Sequence, residues 1–587
     1  MDRREFLRLL AIAGAVGGAG GCAAGSRTAG ADLYGAPPFG QARLMHFTDC
    51  HAQLLPVYFR EPNVNLGFAD AFDRPPHLVG DALLQYASIE PHSRFAHAIS
   101  HLDFTDAARL YGKVGGFAHL RTLVNRLRGE YAQGSSLLLD GGDTWQGSGT
   151  AYWTRGRDMV GACNLLGVDV MTGHWEFTYQ DSEVVQNIDE FNGEFLAQNI
   201  LLTDDAMFDG AAAYDEDSGH VFRPYTLRHL GGRTIAVIGQ AFPYTPIANP
   251  SRFIPDWTFG IRSAELQDLV NSIRDTHKPD AVILLSHNGM DVDLKLARVV
   301  SGIDAILGGH THDGVPLPVI VANSAGKTIV TNAGSNGKFL GVLDLDFGVD
   351  GVQDFRYRLL PVFANLLAPD PEMQNYIATV REPYLETLEE PLAVADQLLY
   401  RRGNFNGTFD QIICDAQRAV GDSQIAFSPG FRWGTTILPG DSVTMERVLD
   451  QTCITYPETY VQEMTGEQIK LILEDVCDNL FNPDPFYQQG GDMVRVGGMN
   501  YVCEPKAGAG QRISGMTLED GTLLDANKRY RVAGWATVGS QASGPPIWEV
   551  VATYLKDAKI ASADTLNTPV LKGVTSNPGL AEYPGLT

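Results

Sequence analysis

The first half of the chain repeats one pattern, in which a short apolar run is followed by a polar turn that often contains glycine. Short apolar runs bounded by turn residues are typical of buried strands. Between two of these runs, Phe117, Leu120, Leu123, Val124 and Leu127 recur at the spacing of one helix face. The alternation predicts a layered α/β domain whose strand ends meet at one edge of the sheets. The runs lie at 44–47, 137–139, 168–171, 281–285 and 303–307.

The second half has a different pattern. The stretch 366–390 is polar, helical in spacing and interrupted by prolines, and it is predicted to be a linker. Beyond it, Thr465 and Gln468 form a capping-box pattern that predicts the start of an amphipathic helix. A glycine-rich loop follows at about 488–501. We therefore predict a catalytic domain over 38–365, a linker helix over 366–390 and a second α/β domain over 391–570.

The first 28 residues differ from the rest of the chain. Arg3 and Arg4 precede a short, glycine-rich apolar segment, which is the pattern of a twin-arginine export signal. This segment is too short for a stable membrane span. We expect export to the periplasm, and membrane association only if Cys22 is lipidated. The six other cysteines contain no CxxC pair, so neither a zinc knuckle nor a redox motif is supported.

Composition restricts the classes of partner. The 587 residues include 70 acidic and 44 basic side chains, which gives a net charge of -26. An acidic surface of this kind repels phosphate backbones, so nucleic acid is not an expected partner. With 44% hydrophobic and 19% charged residues, the chain is typical of a globular protein large enough for two or more domains.

Metal-ligating residue types stand in the turns that follow the five predicted strands. Two of these turns carry a ligand pair at alternate positions, and alternate side chains of an extended segment point to the same side. Carboxylates bridge two cations, imidazole suits borderline metals, and two nearby metals together activate a water molecule. We therefore predict a dinuclear metal site. Its candidate ligands are Asp49, His51, Asp143, His174, His287, His310 and His312.

Four other histidines lack this context. His46, His220, His229 and His277 do not lie in a turn that follows one of these apolar runs. A single histidine outside such a setting is more often a core or surface residue than a ligand. We therefore expect structural or surface positions for all four.

The order of the ligand motifs resembles that of the calcineurin-like metallophosphoesterases, and the C-terminal half resembles the substrate-binding domain of the 5′-nucleotidases. The matching motifs occur in the same order along this chain, and they run from Asp49-x-His51 to Gly309-His310-x-His312. The resemblance implies a four-layer αββα N-terminal domain and an α/β nucleotidase-like C-terminal domain. It also implies one metal site formed by Asp49, His51, Asp143 and His312. The second site would use Asp143, His174, His287 and His310, with Asp143 as the bridge.

One departure from the nucleotidases indicates a narrower family. Nucleotidases carry Gly-Asn-His-Glu at the position where this chain has Gly173-His174-Trp175-Glu176. His174 then takes a ligand position, and Trp175 replaces a histidine that assists the leaving group. With the segments 48–54 and 56–62, this pattern resembles the SoxB family of thiosulfohydrolases.

The SoxB resemblance implies hydrolysis of a cysteine S-thiosulfonate on a carrier protein of the periplasmic sulfur-oxidation system. Sulfate would be released and a persulfide would remain on the carrier. The family is associated with two divalent metal ions, Mn(II) in particular. The expected catalytic residues are Asp143, His174 and Arg432. Arg432 is the candidate anion anchor because its guanidinium fork suits sulfonate oxygens, and Asp492, Arg495 and Tyr501 are weaker candidates.

Two alternatives and one structural hypothesis remain open at this point. The chain is alternatively a periplasmic 5′-nucleotidase or other phosphoesterase, or a carrier-binding protein that keeps the metal fold without turnover. The nucleotidase alternative would gain support from a pair of aromatic rings placed to sandwich a base between the two domains. The segment from 52 to about 110 is a long insertion after the first metal motif, and we expect it to form part of the rim of a substrate channel.

Overall fold

The computed structural model describes residues 33–539, 541–583 and 585. The described residues of Pro37–Thr587 form one compact unit. The predicted signal peptide and Cys22 lie outside the described residues. Within the described part of the chain, every helix is too short or too polar to span a bilayer.

Two six-stranded sheets carry the predicted strands of the first half. The first has the order β14-β13-β1-β2-β3-β4, with β1 to β4 parallel, and the second has the order β11-β12-β10-β9-β7-β6, with β7, β9, β10 and β12 parallel. The strands are β1 Ala42–Phe47, β2 Ser136–Asp140, β3 Val170–Met171, β4 Glu194–Phe195, β5 Leu201–Leu202, β6 Tyr225–Leu230, β7 Arg233–Gln240, β8 Trp257–Thr258, β9 Ala281–Ser286, β10 Ala305–Gly308, β11 Val319–Asn323, β12 Gly326–Asn332, β13 Phe339–Phe347 and β14 Val352–Pro361.

The two sheets pack face to face, and helices cover their outer faces. Leu44, Leu139 and Leu343 of the first sheet share a core with Val237 and Ile283 of the second. The predicted helix forms as Phe117–Gly129, with its five apolar residues buried. This is the four-layer αββα arrangement, and the predicted fold class is confirmed. The helices up to residue 299 are Gly80–Ala87, Arg94–Ile99, Phe104–Tyr111, Phe117–Gly129, Gly149–Thr154, Arg157–Leu166, Asp181–Glu190, Asp204–Phe208, Thr245–Ala248, Ser263–His277 and Met290–Val299.

The rest of the chain forms smaller sheets and further helices. The capping box at Thr465 and Gln468 is present and begins the predicted helix, Gly466–Phe481. Trp175 of the first half packs in the core of this second part with Phe409 and Trp433. The strands are β15 Pro391–Ala395, β16 Ile425–Ser428, β17 Ser442–Thr444, β18 Thr459–Thr465, β19 Arg495–Gly497, β20 Met499–Cys503, β21 Ile513–Leu518, β22 Arg529–Trp535, β23 Ile560–Ala561 and β24 Val570–Leu571. The helices are Pro371–Arg381, Leu385–Leu388, Thr408–Gly421, Met445–Thr452, Gly466–Phe481 and Ile547–Ala558. The predicted linker, 366–390, covers the first two of these helices. The bounds of the catalytic domain, the linker and the second domain stay predictions.

The insertion after the first metal motif is an ordered part of the fold. It contains the helices Gly80–Ala87, Arg94–Ile99 and Phe104–Tyr111. Glu61 of this segment forms a buried ion pair with Lys338, which lies just before β13. A buried pair of this kind is costly to break, because loss of one partner leaves an uncompensated charge. The pair therefore fixes the insertion to the two-sheet core.

The insertion also contacts the C-terminal half. Val64 pairs with Leu580 near the end of the chain, and Tyr58 pairs with Thr436. The backbone N–H of Leu66 donates to the side-chain oxygen of Asn404 at 3.0 Å. The insertion and the C-terminal tail thus hold the two halves of Pro37–Thr587 together.

Acid is expected to loosen the insertion through two of its histidines. His97 and His101 are buried, and burial lowers the pKa of each to about 4, from 6.5. Their contribution to stability is present above pH 6.5 and is lost as the pH falls towards 4, because the unfolded segment takes up protons first. Protection factors for hydrogen exchange over 80–111, with the intrinsic exchange rate at each pH divided out, should therefore fall between neutral pH and about pH 5.

Substitutions separate this effect from general acid unfolding. His97→Phe should reduce the pH dependence, since its ring packs 5.3 Å from Phe104 and phenylalanine keeps that contact. His92→Gln is the matched control, because the His92 side chain is 80% exposed. Unchanged pH dependence in the His97→Phe and His101→Phe variants would assign the effect to other groups.

Candidate metal centre

The structure brings all seven predicted ligands together at one edge of the two sheets. Asp49, Asp143 and His174 follow β1, β2 and β3, whereas His287 and His310 follow β9 and β10. The residues form two groups that share Asp143, and within each group the ligand atoms lie within 4.8 Å of one another. Each group can hold a metal ion. The groups are Asp143, His174, His287 and His310, and Asp49, His51, Asp143 and His312.

The ligand turns are not extended, contrary to the expected geometry of the two alternating pairs. Asp49 and His51 have φ values of 53° and 45°, and His310 and His312 have values of 72° and 59°. The φ of Asp143 also lies in the left-handed region, at 58°. Non-glycine residues rarely adopt this region, and such strain persists where surrounding contacts impose it. Turns therefore bring these side chains together, and strand alternation does not.

Hydrogen bonds between the turns impose this conformation. The backbone N–H groups of Asp49 and His51 donate to the carbonyls of Gly142 and Asp143, each at 2.8 Å. The N–H of His310 donates to both carboxylate oxygens of Asp49 at 3.0 Å. The turn after β1 is thus fixed by the turns after β2 and β10.

The donor atoms have the spacing of ligands around a metal. His51 Nε2 and His312 Nε2 are 3.0 Å apart, and His312 Nε2 is 3.2 Å from Asp49 Oδ1. In the other group, Asp143 Oδ2 is 3.2 Å from His174 Nδ1 and 3.1 Å from His287 Nε2. Adjacent ligands with metal–donor bonds of about 2.1 Å are separated by about 3 Å. Both groups therefore fit a metal ion of that size.

Unsatisfied polar atoms support the same conclusion. Both ring nitrogens of His310 are buried without a hydrogen-bond partner among the described residues. Burial lowers the pKa of His51 to about 3 and keeps the pKa of His310 and of His312 well below the ordinary value. These imidazoles are neutral, which is the ligating form.

The electrostatics at Asp143 indicate where a cation belongs. Burial alone would raise its pKa, but His174 and His287 hold it well below the ordinary value. Burial opposes protonation of His287, yet Asp143 and Asp49 raise its pKa to about 10. The two carboxylates therefore attract positive charge to this position, and a metal cation there would replace the proton on His287.

The candidate ligands open into a cavity of about 240 Å³ whose wall includes Trp175, Phe242, Phe431, Trp433 and Tyr456. Phe431 and Trp433 stack with their ring centres 4.1 Å apart. Trp175 meets both rings edge to face, at 5.4 Å and 5.1 Å. We call these three residues the aromatic cluster. Because Phe431 and Trp433 are in contact with each other, no base fits between their rings.

Arg432 lines the same cavity as the metal ligands. Its Nε donates to Asp492 at 3.2 Å, and Nη2 donates to the carbonyl of Gly491 at 2.8 Å. Its Nη1 is buried and has no partner among the described residues. The guanidinium is therefore held in place by the glycine-rich loop, and one of its nitrogens keeps its donor capacity unused among the described residues.

The weaker candidates have different positions. Asp492 lines the cavity and accepts hydrogen bonds from Arg432 and Arg495. Arg495 is fully buried beside Asp410 and Asp492, and Tyr501 is buried in the hydrophobic core of the second part. Arg495 and Tyr501 are not among the described residues that line the cavity, whereas Asp492 positions Arg432.

The four histidines expected to be structural lie outside the two ligand groups. His46 is buried in β1, and burial lowers its pKa to about 3. His277 accepts or donates a hydrogen bond with the Tyr225 hydroxyl at 3.0 Å, and His229 does the same with Thr234 at 3.1 Å. His220 contacts Ser218 at 2.7 Å.

Several site residues were missed by the sequence patterns. Phe242 packs between His174 and His310, with ring centres 4.0 Å and 4.1 Å away. Arg402 donates to the carbonyl of Thr311 at 2.9 Å and lines a second cavity that adjoins His310 and Arg432. Residues of the insertion, including Asn65 and His77, line that cavity too. The only local pattern that indicated Arg402 was the Arg401-Arg402 pair before a glycine. No local pattern indicated that Phe242 belongs to the site.

Comparisons with known proteins agree with this architecture. Residues 391–552 match the family model described as the 5′-nucleotidase C-terminal domain. The sulfate thiohydrolase SoxB from Thermus thermophilus superposes with a TM-score of 0.85 at 36% identity, and the match covers 92% of this chain and 98% of that chain. A 5′-nucleotidase precursor, also from Thermus thermophilus, superposes with a TM-score of 0.70 at 21% identity over 90% and 99% of the two chains. The match to the nucleotidase precursor shows that this chain has the same fold.

A curated relative is more distant. The trifunctional nucleotide phosphoesterase YfkN of Bacillus subtilis is 27% identical over 499 residues, which is 77% of this chain and 32% of that protein. The chain spans less than half the length of the first curated relatives that it matches. The identity of 36% with the Thermus enzyme over nearly its whole length shows that the chain belongs to the SoxB family of hydrolases, which has the fold of the 5′-nucleotidases.

Proposed function

We propose that this chain is a metal-dependent thiosulfohydrolase that acts on a cysteine-bound thiosulfonate of a carrier protein. One observation carries the proposal: an aromatic ring, Trp175, stands beside His174 with ring centres 5.0 Å apart, where nucleotidases carry an assisting histidine. Tyr456 is the only hydroxyl-bearing residue among the described residues that line the cavity, and its hydroxyl donates to Ala248 at 2.6 Å. The cavity wall thus favours a reaction whose leaving group does not need to be protonated as it departs.

The reaction has such a leaving group. Phosphomonoester cleavage expels an alkoxide, which benefits from a nearby proton donor. In the proposed reaction, water oxygen bonds to the sulfonate sulfur and the S–S bond breaks, with the electron pair staying on the carrier sulfur. The products are a carrier persulfide anion, sulfate and two protons. A persulfide is a much weaker base than an alkoxide, so loss of the donor costs little.

The residues of the chain have distinct roles in this proposal. Metal ions held by the two ligand groups would supply Lewis acidity and lower the pKa of water. Asp143 joins the two groups, and His174 lies between Asp143 and Trp175. Arg432 binds the sulfonate through its unpartnered nitrogen. The aromatic wall excludes bulk water from the S–S bond.

The metal and the compartment are part of the proposal. The donor set of neutral imidazoles and carboxylates suits borderline divalent metals, and we propose two Mn(II) ions. We also propose twin-arginine export to the periplasm, which rests on Arg3 and Arg4 in the sequence. Elemental analysis of protein purified from its own compartment tests both statements.

A two-substrate assay tests the function. The purified, metal-loaded protein is incubated with a peptide that carries a cysteine S-thiosulfonate and, separately, with AMP. We expect release of sulfate from the peptide and little phosphate from AMP. Phosphate release without sulfate release would favour the nucleotidase alternative. Binding of the loaded peptide with no release of sulfate would favour a carrier-binding protein.

Arg432→Ala should weaken use of the loaded peptide without reducing metal content. Its guanidinium contacts the proposed anion and none of the ligand atoms. Loss of one charge-assisted contact costs roughly 1.5–3 kcal/mol, or about ten- to a hundredfold in kcat/KM. The matched control is Arg418→Ala, since Arg418 pairs with Glu519 on the surface at 2.9 Å. Unchanged kinetics would exclude Arg432 as the anchor, and metal loss would assign it a role in the ligand geometry.

A further inference from the structure

The aromatic cluster lies across both ligand groups. The Trp433 ring centre is 5.5 Å from that of His51 in one group, and the Trp175 ring centre is 5.0 Å from that of His174 in the other. Trp175 and Trp433 are buried, whereas Phe431 is partly buried. A substrate bound at the two groups would therefore meet these three rings, because they line the same cavity as the ligands.

The rings make this wall selective for the type of atom placed against it. The faces of the rings offer no N–H or O–H donor, so an ester oxygen placed against them would lose its water contacts there without replacement. Divalent sulfur is weakly hydrated and polarizable, and it makes favourable contacts with aromatic rings. The reacting S–S unit fits this wall better than a C–O–P linkage does.

We infer that Trp175, Phe431 and Trp433 form a binding site for the divalent sulfur next to the sulfonate, and that this site sets the preference for sulfur over oxygen. The inference rests on the proposed function for its biological substrate, but the preference itself is a binding property. Arg432 and the ligand groups take the oxygen atoms, and the aromatic cluster takes the sulfur. The cluster is thus a specificity determinant.

Thiosulfate and sulfate form a matched pair of probes, since both are tetrahedral dianions that differ by one sulfur in place of oxygen. Their dissociation constants are measured by calorimetry on the manganese-loaded full chain. We expect thiosulfate to bind more tightly than sulfate. In Phe431→Leu and Trp433→Leu, this preference should fall roughly two- to tenfold per ring, because leucine keeps the apolar surface but removes the aromatic face.

The controls address folding and metal content. Phe431→Leu is the safer variant, because Phe431 is partly buried and Trp433 is fully buried. Metal content and unfolding temperature are measured for each variant. Trp153→Leu is the matched control, since Trp153 stacks on Tyr384 at 4.7 Å and is not among the residues that line the cavity.

Two results would overturn the inference. Equal affinity for thiosulfate and sulfate in the unaltered protein would show that no sulfur site exists. A preference that persists in the leucine variants would show that the sulfur is held elsewhere, for example by a metal ion. A preference that depends on the rings, in a protein that releases no sulfate from the loaded peptide, would support the inference and refute the proposed function.

Discussion

Replacement of Asp143 by alanine is expected to abolish hydrolysis and to reduce bound metal from about two ions per chain to one or none. Asp143 is the one residue common to both ligand groups, and its carboxylate is buried. Water cannot replace it, because the site would lose the negative charge that holds two cations close together. The Asp143 Oδ1 also accepts a hydrogen bond from the backbone N–H of Trp175 at 2.6 Å. The variant therefore disturbs the aromatic cluster as well as the metals.

Elemental analysis and sulfate release are measured together on the Asp143→Ala protein. Asp158→Asn is the matched control, since Asp158 is a buried carboxylate that pairs with Thr154 on a helix outside both groups. The control should keep its metal. Full occupancy of both sites in Asp143→Ala would contradict the bridging role.

The positions of the ligands could be predicted from the sequence because the strands are buried on both faces. Such strands are continuous apolar runs, and their carboxyl ends meet at one edge of a parallel sheet. The run 137–139 therefore predicted β2, Ser136–Asp140, and placed Asp143 at the edge. Strand lengths were predicted less well, since β3 covers only Val170–Met171 of the run 168–171.

The backbone of the ligand turns could not be predicted in the same way. Alternation indicated extended pairs, but Asp49 and His310 are left-handed. The contacts that impose this conformation join residues far apart in the chain, such as the His310 N–H and the Asp49 carboxylate, 261 positions away. No local pattern contains that information.

The insertion illustrates the same limit on a larger scale. Its length and its place after the first metal motif indicated a functional segment, and it does line a cavity next to His310. Its attachment depends on partners distant in sequence, with Glu61 paired to Lys338 and Val64 to Leu580. The channel rim stays a prediction, because the structure shows the cavity wall and not the path of a substrate.

Glu176 was part of the ligand motif but had no predicted role, and its surroundings assign one. The side chain is fully buried. Its Oε1 accepts from the N–H groups of Thr144 at 2.7 Å and Trp145 at 3.0 Å. Its Oε2 accepts from the backbone N–H groups of Asp143 at 3.2 Å and His174 at 2.8 Å. One carboxylate thus joins the turn that carries the bridging ligand to the turn that carries His174.

Glu176→Gln should weaken metal binding roughly ten- to a hundredfold, although the side chains have nearly the same shape. Four backbone donors require two oxygens that each accept twice, and the amide replaces one of them with an NH₂ group that faces two N–H donors. Metal affinity is measured by competition with a fluorescent chelator, with circular dichroism to confirm folding. Glu183→Gln is the matched control, because Glu183 is partly exposed and pairs with Arg155 at 2.6 Å, away from the ligands. If Glu176→Gln binds metal as tightly as the unaltered chain, the carboxylate does not set the spacing of the two turns.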